Sequence, residues 1–318
     1  VGGTNTRFSL WSGGLHEACQ WATGDSATLG EALHAYLEKI GRTETEIKGV
    51  VVAVAGAVKQ GRVQLTNGRW SGDVRETKAP CLILNDLAAA AGAVRHVAPD
   101  NQKVLASGNR NVDGMMAVLG LGTGHGQACR IGNTTLAGEG GHADFAPGDE
   151  EQQRLIGWMQ RDTGGRVRVE DVLSGPGLGA LLRYVIEEQE LSENAKMALE
   201  AGCAWEALAT GHWKTDSACS DAIALFGRCL ATECRNVAMR SLATGGVYVV
   251  GGVANRLAPA LCQEAFEEAF RGGKSGRGVT GLSASVLKQI PVTLVLDENV
   301  GLIGAGLEGE RLWSQDSR

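Results

Sequence analysis

The chain has 318 residues, 43% of them hydrophobic, and a formal net charge of -6. That is enough apolar material for two domains or one large α/β unit. The acidic balance and the lack of any long Lys/Arg cluster exclude a nucleic-acid footprint, and no apolar run approaches the ~20 residues that cross a bilayer. A phosphorylated small ligand stays open, because backbone amides bind phosphate without net positive charge.

The chain opens with Val1-Gly2-Gly3-Thr4-Asn5-Thr6, a turn sequence without the apolar segment of a signal peptide. The eight cysteines, from Cys19 to Cys262, match no zinc or redox spacing. They are expected to be reduced, mostly buried thiols of a cytoplasmic protein. A helix is predicted over Thr28–Ile40, where Leu29, Leu33, Tyr36, Leu37 and Ile40 share a face. Val50–Val54 and Cys81–Leu84 read as strands. The second ends in Asn85-Asp86, before the small-residue helix Leu87–Val94. Ligands of open α/β sheets bind at such carboxyl ends, and an Asp there can take a proton from a substrate hydroxyl. The competing role is a helix cap, which local sequence alone favours.

Met115–Leu119 is the next strand, and it runs into Gly120-Leu121-Gly122-Thr123-Gly124-His125-Gly126. Clustered Gly permits close backbone approach to a ligand, and exposed N–H groups with the Thr123 hydroxyl suit an anion. Gly2-Gly3-Thr4 has the same make-up, and both turns sit where a hairpin could reverse. Gly138-Glu139-Gly140-Gly141-His142-Ala143-Asp144-Phe145 is the densest polar constellation. Its carboxylate and imidazole can bond neighbouring hydroxyls of a polyol, and no further His or Cys suggests a metal. Glu170 is less distinctive and alone reads as a solvated helix residue. A long helix is predicted after Ser220 and Asp221, running toward Leu242, and a shorter one near Pro259–Phe270. Val247–Val250 and Val292–Leu296 are strands, the first flanked by Gly245-Gly246 and Gly251-Gly252. Arg271–Ser283 reads as an exposed loop. Neither standard nucleotide fingerprint fits: Glu268 stands where a P-loop ending at Gly273-Lys274-Ser275 needs Gly, and His125 breaks the dinucleotide spacing after Gly120 and Gly122.

Together these motifs resemble the bacterial glucokinase family, within the hexokinase and actin-like ATPase superfamily. The carrying segments are Val1–Asn5, Leu65-Thr66-Asn67-Gly68-Arg69-Trp70, Asn85-Asp86, Gly122–Gly124 and Gly138–Pro147. They continue with Val172-Leu173-Ser174-Gly175-Pro176-Gly177-Leu178, Gly251-Gly252-Val253 and Gly301-Leu302-Ile303-Gly304-Ala305-Gly306. The resemblance implies two α/β domains of the actin-like ATPase (ribonuclease H-like) type around a central cleft. Residues 1–95 would form the small domain, completed by a C-terminal helix at 300–318, and residues 96–299 the large one. It implies an ATP-dependent glucokinase that phosphorylates the 6-hydroxyl of glucose, the first step of glycolysis. Asp86 would be the general base, and Asn85, Gly138, Glu139, His142 and Glu170 the sugar ligands. Gly2, Gly3, Thr4, Asn5, Gly122, Thr123 and Gly124 would meet the phosphates of ATP, with Gly251 and Gly252 near the adenosine. Mg²⁺ would arrive with ATP, no residue is assigned to a metal, and a homodimer without membrane or nucleic-acid partners is expected.

Family members carry an Asp just before Val-Gly-Gly-Thr, at the end of a first strand, that helps organise Mg²⁺ and phosphates. This sequence begins at Val1, and the expectation is that N-terminal residues are omitted from it. A kinase for another hexose stays open, because the same ligands contact most hexoses. The sister family of repressors and kinases usually carries a Cys-rich zinc motif after the Gly-His segment, and none follows His142. A sugar-sensing regulator would want a helix-turn-helix and a basic patch. An actin-like filament or chaperone ATPase would lack Glu139 and His142.

Overall fold

Asn5–Trp11 (β1) and Leu15–Ala22 (β2) pair as an antiparallel hairpin. Phe8 and Trp21 stand on the side where the helix Leu29–Lys39 lies. Phe8 stacks on Tyr36 at 5.1 Å between ring centres and meets Trp21 at 4.8 Å. The helix starts where the Thr28 hydroxyl accepts from the Glu31 N–H, and it buries Leu29, Leu33, Tyr36 and Leu37 on one stripe. The β-branched run Val50–Val54 (β3) pairs in parallel with Cys81–Asn85 (β6), placing Val54 opposite Asn85. Arg62–Gln64 (β4) and Ser71–Asp73 (β5) form a short antiparallel pair between them in sequence.

The computed structural model describes residues 1–2, 5–56, 58–65, 70–273 and 281–313. The chain divides into two compact units. The first comprises Val1–Val97, Thr135–Ala137 and Asn299–Arg318, the second Ala98–Thr134 and Gly138–Glu298. The first unit is closed by its C-terminal helix, Val300–Trp313, which packs on β3 and on the helix Asp86–Ala93. Both helices present small residues. A Cβ on Gly304 would overlap the Ala89 carbonyl oxygen, and one on Gly306 would overlap the Trp11 ring. Gly304 therefore lets two helix backbones touch, and Gly306 makes room for the Trp11 ring.

The remaining strands are Gln102–Ala106 (β7), Met116–Leu121 (β8), His125–Ile131 (β9), Thr134–Gly138 (β10), Val247–Val250 (β11) and Val292–Val295 (β12). They lie in the order β10-β9-β8-β11-β12-β7. β11 runs parallel to β8 and β12, while β9 and β7 are antiparallel to their neighbours. Every residue of β8, β11 and β12 is buried, so these strands read as continuous apolar runs without alternation. Helices cover this core, the longest being Ser217–Ser241. Its cap is Asp216, whose Oδ1 accepts from the Cys219 N–H at 2.8 Å. Ser220 and Asp221 lie inside it, because the apolar face already begins at Ala218 and Cys219. The predicted helix near Pro259 begins at Gln263; of the loop expected over Arg271–Ser283, residues 274–280 lie outside the described residues, and Gly281–Ser283 instead open the helix Gly281–Gln289. Among the described residues no helix is long and apolar enough to cross a membrane, and all eight cysteines are free thiols.

Candidate functional site

In the first unit the polar pair falls at the carboxyl end of β6, as expected of Asn85 and Asp86. Asn85 is the N-cap of the helix Asp86–Ala93: its Oδ1 accepts from the N–H groups of Leu87 and Ala88 at 3.0 and 3.2 Å. Its Nδ2 donates to the Gly56 carbonyl at 3.3 Å, tying β6 to the end of β3. Asp86 occupies the first helical position, half-buried, and its Oδ1 accepts from the Leu87 N–H at 2.9 Å. The aligned peptide dipoles favour a carboxylate there. Of the predicted phosphate residues in this unit, Gly2 donates to the Asn5 carbonyl at 2.9 Å and Asn5 is exposed. Gly3 and Thr4 lie outside the described residues, as do Thr66–Arg69 and Lys274-Ser275.

In the second unit β8 reverses into β9 through Gly122-Thr123-Gly124, closed by a bond from the Gly122 N–H to the Gly124 carbonyl at 3.0 Å. Thr123 at the tip is exposed. The Gly175 N–H donates to the Gly122 carbonyl at 2.9 Å, so the Leu173–Gly175 turn buttresses this loop. Neither Gly122 nor Gly124 has positive φ. Gly124 is small for another reason: a Cβ there would lie 3.1 Å from Glu170 Oε2. Gly251, following β11, does take φ of 108°, and its Cβ would overlap the Leu121 carbonyl of the neighbouring strand. Gly252 then opens a short helix, exposed and with open space where a Cβ would stand.

Three of the predicted sugar residues converge in this unit. After Gly138 at the end of β10, the chain turns through Gly140–His142, with the His142 N–H donating to the Glu139 carbonyl at 3.0 Å. Ala143–Phe145 then pairs with Val167–Val169: Phe145 donates to the Val167 carbonyl at 3.0 Å and Val169 to the Ala143 carbonyl at 2.9 Å. That short ladder brings Glu170 beside His142, with Glu170 Oε1 at 3.2 Å from Nδ1 and Glu139 Oε2 at 3.8 Å from Nε2. Glu139 and His142 are 65% and 55% exposed, whereas Glu170 is only 20% exposed. Arg168 Nη1, which can only donate, also lies 3.4 Å from that Nδ1, so Nε2 presents a donor or an acceptor according to the tautomer. The group therefore offers two carboxylate acceptors and an imidazole to a polyhydroxylated ligand, on a turn whose Gly140 and Gly141 pack against Gln127 and the His125 carbonyl.

Sequence patterns did not single out Arg168. Its Nη1 pairs with Glu170 at 2.5 Å and its Nη2 with Asp171 at 2.6 Å, which fixes the carboxylate beside His142. The signal was present as Arg166-Val167-Arg168-Val169, an alternation that puts both arginines on one side of the ladder. Arg166 pairs with Asp144 at 2.9 Å. No group of three or more His, Cys, Asp or Glu among the described residues could hold a metal ion. An open hollow of about 570 Å³ lined by Ser107, Glu267, Arg271 and Lys288 contains none of the predicted residues. Arg271 there is engaged by the Ser107, Leu287 and Ile290 carbonyls and by Glu267.

A sequence profile described as Glucokinase matches residues 1–311. The chain is 33% identical to a glucokinase of Caulobacter vibrioides, across 96% of this chain and 92% of that relative. Its fold superposes on the crystal structure of a glucokinase from an Antarctic psychrotroph with a TM-score of 0.75 and 26% identity, covering 95% and 94% of the two chains. A ROK family glucokinase from Streptomyces griseus, solved in complex with glucose and AMPPNP, superposes with a TM-score of 0.66 at 20% identity, covering 97% and 96%. The fold is thus the α/β type of the actin-like ATPases that these sugar kinases share.

Proposed function

This chain belongs to the glucokinase family, and from that premise we propose that it transfers the terminal phosphoryl group of ATP to the 6-hydroxyl of glucose. The observation that most supports this is the convergence of Glu139 and Glu170 on His142, on a glycine-lined turn, in a chain matched by the family profile over residues 1–311. Glu139, His142 and Glu170 bind sugar hydroxyls, with Gly138 leaving room and Asn85 adding its amide. Each buried hydrogen bond rejects an analogue that lacks the hydroxyl, because the site group is then left unpaired.

Asp86 accepts the proton of the 6-hydroxyl as its oxygen bonds to phosphorus and the bond from that phosphorus to the bridging oxygen of ATP breaks. The products are glucose 6-phosphate and ADP. Gly2, Gly3, Thr4, Asn5, Gly122, Thr123 and Gly124 meet the phosphates, and Gly251 and Gly252 approach the adenosine. Mg²⁺ bound to the nucleotide neutralises phosphate charge. The free state of all eight thiols supports a reducing compartment, and we assign the enzyme to the cytoplasm, to the first step of glucose breakdown and to a homodimer. The two compact units correspond to the small and large domains of the family.

The test is a coupled assay of ADP release with Mg-ATP and a panel of hexoses. Strong turnover with glucose and little with mannose, fructose or N-acetylglucosamine is expected. Faster turnover on another hexose would refute the choice of sugar, and hydrolysis of ATP without any sugar dependence would refute the transfer itself.

A further inference from the structure

Glu233, on the long helix Ser217–Ser241, is a carboxylate in the interior of the second unit, and the chemistry above leaves it unused. It is 1% exposed. Taking a carboxylate out of water is costly unless hydrogen bonds replace the water. Here the replacements are amides. Gln127 Nε2 donates to Oε1 at 2.8 Å and Asn236 Nδ2 donates to Oε2 at 3.4 Å. Among the described residues no cation forms an ion pair with it, and Arg240 acts on it only at longer range.

The bonds continue beyond Gln127. The same amide nitrogen lies 3.2 Å from His125 Nε2, and His125 Nδ1 lies 3.2 Å from the Leu173 carbonyl oxygen. A carbonyl can only accept, so Nδ1 carries the proton and Nε2 accepts from Gln127. The polarity then runs one way. An ionised Glu233 accepts, which turns the Gln127 NH₂ inward, which makes His125 a donor to Leu173. Such chains reinforce each member, and loss of one end leaves the others poorly oriented.

This chain reaches the sugar residues at its middle and at its Leu173 end. Gln127 lies against Gly140, where a Cβ would overlap its Oε1, and the His125 carbonyl lies against Gly141 in the same way. Gly140 and Gly141 are the link between Glu139 and His142. Leu173 follows the short helix Val169–Val172 that carries Glu170, and its N–H bonds to the Val169 carbonyl at 2.7 Å. We propose that Glu233, acting through Gln127 and His125, is a positioning residue of the sugar site, holding the Glu139–His142 turn and the Glu170–Leu173 turn in one register. Its kinetic test rests on the glucose reading above, and its structural test does not.

The variants are Glu233→Leu, Glu233→Gln and Gln127→Leu, with Leu225→Ala as a control that removes buried packing from the same helix. Amide hydrogen exchange of residues 138–143 is measured without sugar, and half-saturating glucose and ATP concentrations are measured by turnover. Loss of a bond to a charged group predicts, for Glu233→Leu and Gln127→Leu, exchange about tenfold faster and half-saturating glucose about tenfold higher, with ATP changed less than about twofold. Glu233→Gln still offers an acceptor and stays within about twofold in both. Leu225→Ala lowers the melting temperature and leaves both readouts in place. Wild-type exchange rates in Glu233→Leu would overturn the inference, as would equal damage from Glu233→Gln or from Leu225→Ala. If the wild type phosphorylates no glucose, the functional reading falls, and the exchange rates alone decide the positioning role.

Discussion

Buried in β9, His125 makes the second unit sensitive to acid. Burial pulls its imidazole down from the ordinary 6.5 to about 4, and the bond to the Leu173 carbonyl offsets only part of that. An unfolded chain takes up the proton near pH 6.5, whereas the native chain holds out until about pH 4. Between those values the unfolded state binds more protons, so stability is present above pH 6.5 and is lost as pH falls. Linkage between the two values gives a loss of about 2 kcal/mol at pH 5 and about 3 kcal/mol at pH 4, relative to pH 7.5. The perturbation is His125→Gln, which cannot titrate. Urea unfolding of both proteins at pH 7.5, 6, 5 and 4 supplies the comparison. Other carboxylates titrate in both proteins, so the difference between the two curves isolates residue 125. The variant is expected to start less stable at pH 7.5 and to close the gap by about 3 kcal/mol at pH 4. Parallel curves would refute the claim that His125 is held neutral by burial.

Three other outcomes are expected. Leu242 ends the long helix with φ of 47°, a left-handed conformation, and its side chain is 59% exposed. Leu242→Gly should therefore raise stability by about 0.5–1 kcal/mol, and a lower melting temperature would contradict this. Gly304→Ala should lose about 1–3 kcal/mol by forcing the C-terminal helix off Ala89, although alanine normally favours a helix; thermal melting gives the sign, and a gain would remove the close-packing claim. Glu139→Gln should weaken glucose binding by about 1–3 kcal/mol in calorimetry, and unchanged affinity would remove Glu139 from the sugar site.

Local chemistry made part of this molecule legible. Val50–Val54 and Val247–Val250 are short β-branched runs between turn residues, and they are strands over those same residues. Thr28 before an apolar stripe marks a helix start, and Glu139 and His142 stand out as polar groups among glycines. The long helix starts ahead of Ser220 and Asp221, although both are good caps by type. Burial of Ala218 and Cys219 carries the helix back to Asp216. β1, β2, β9 and β10 escape notice because each is partly exposed and mixes polar with apolar residues. What could not be read are contacts made by chain reversal. Glu170 meets His142 only through the ladder at Val167–Val169, and Gln127 meets Glu233 across 106 positions. Nothing in the neighbours of Glu233 marks it as buried, since a carboxylate on a helix is ordinarily solvated.

The most direct test of the proposed reaction compares the wild type with Asp86→Asn. Glucose binding is followed by calorimetry and glucose 6-phosphate formation by rapid quench at saturating Mg-ATP. The expected result is retained glucose affinity with phosphoryl transfer slowed about 10²–10⁴-fold, because the proton acceptor alone has gone. Transfer near the wild-type rate in Asp86→Asn would contradict the assignment of Asp86 as the base.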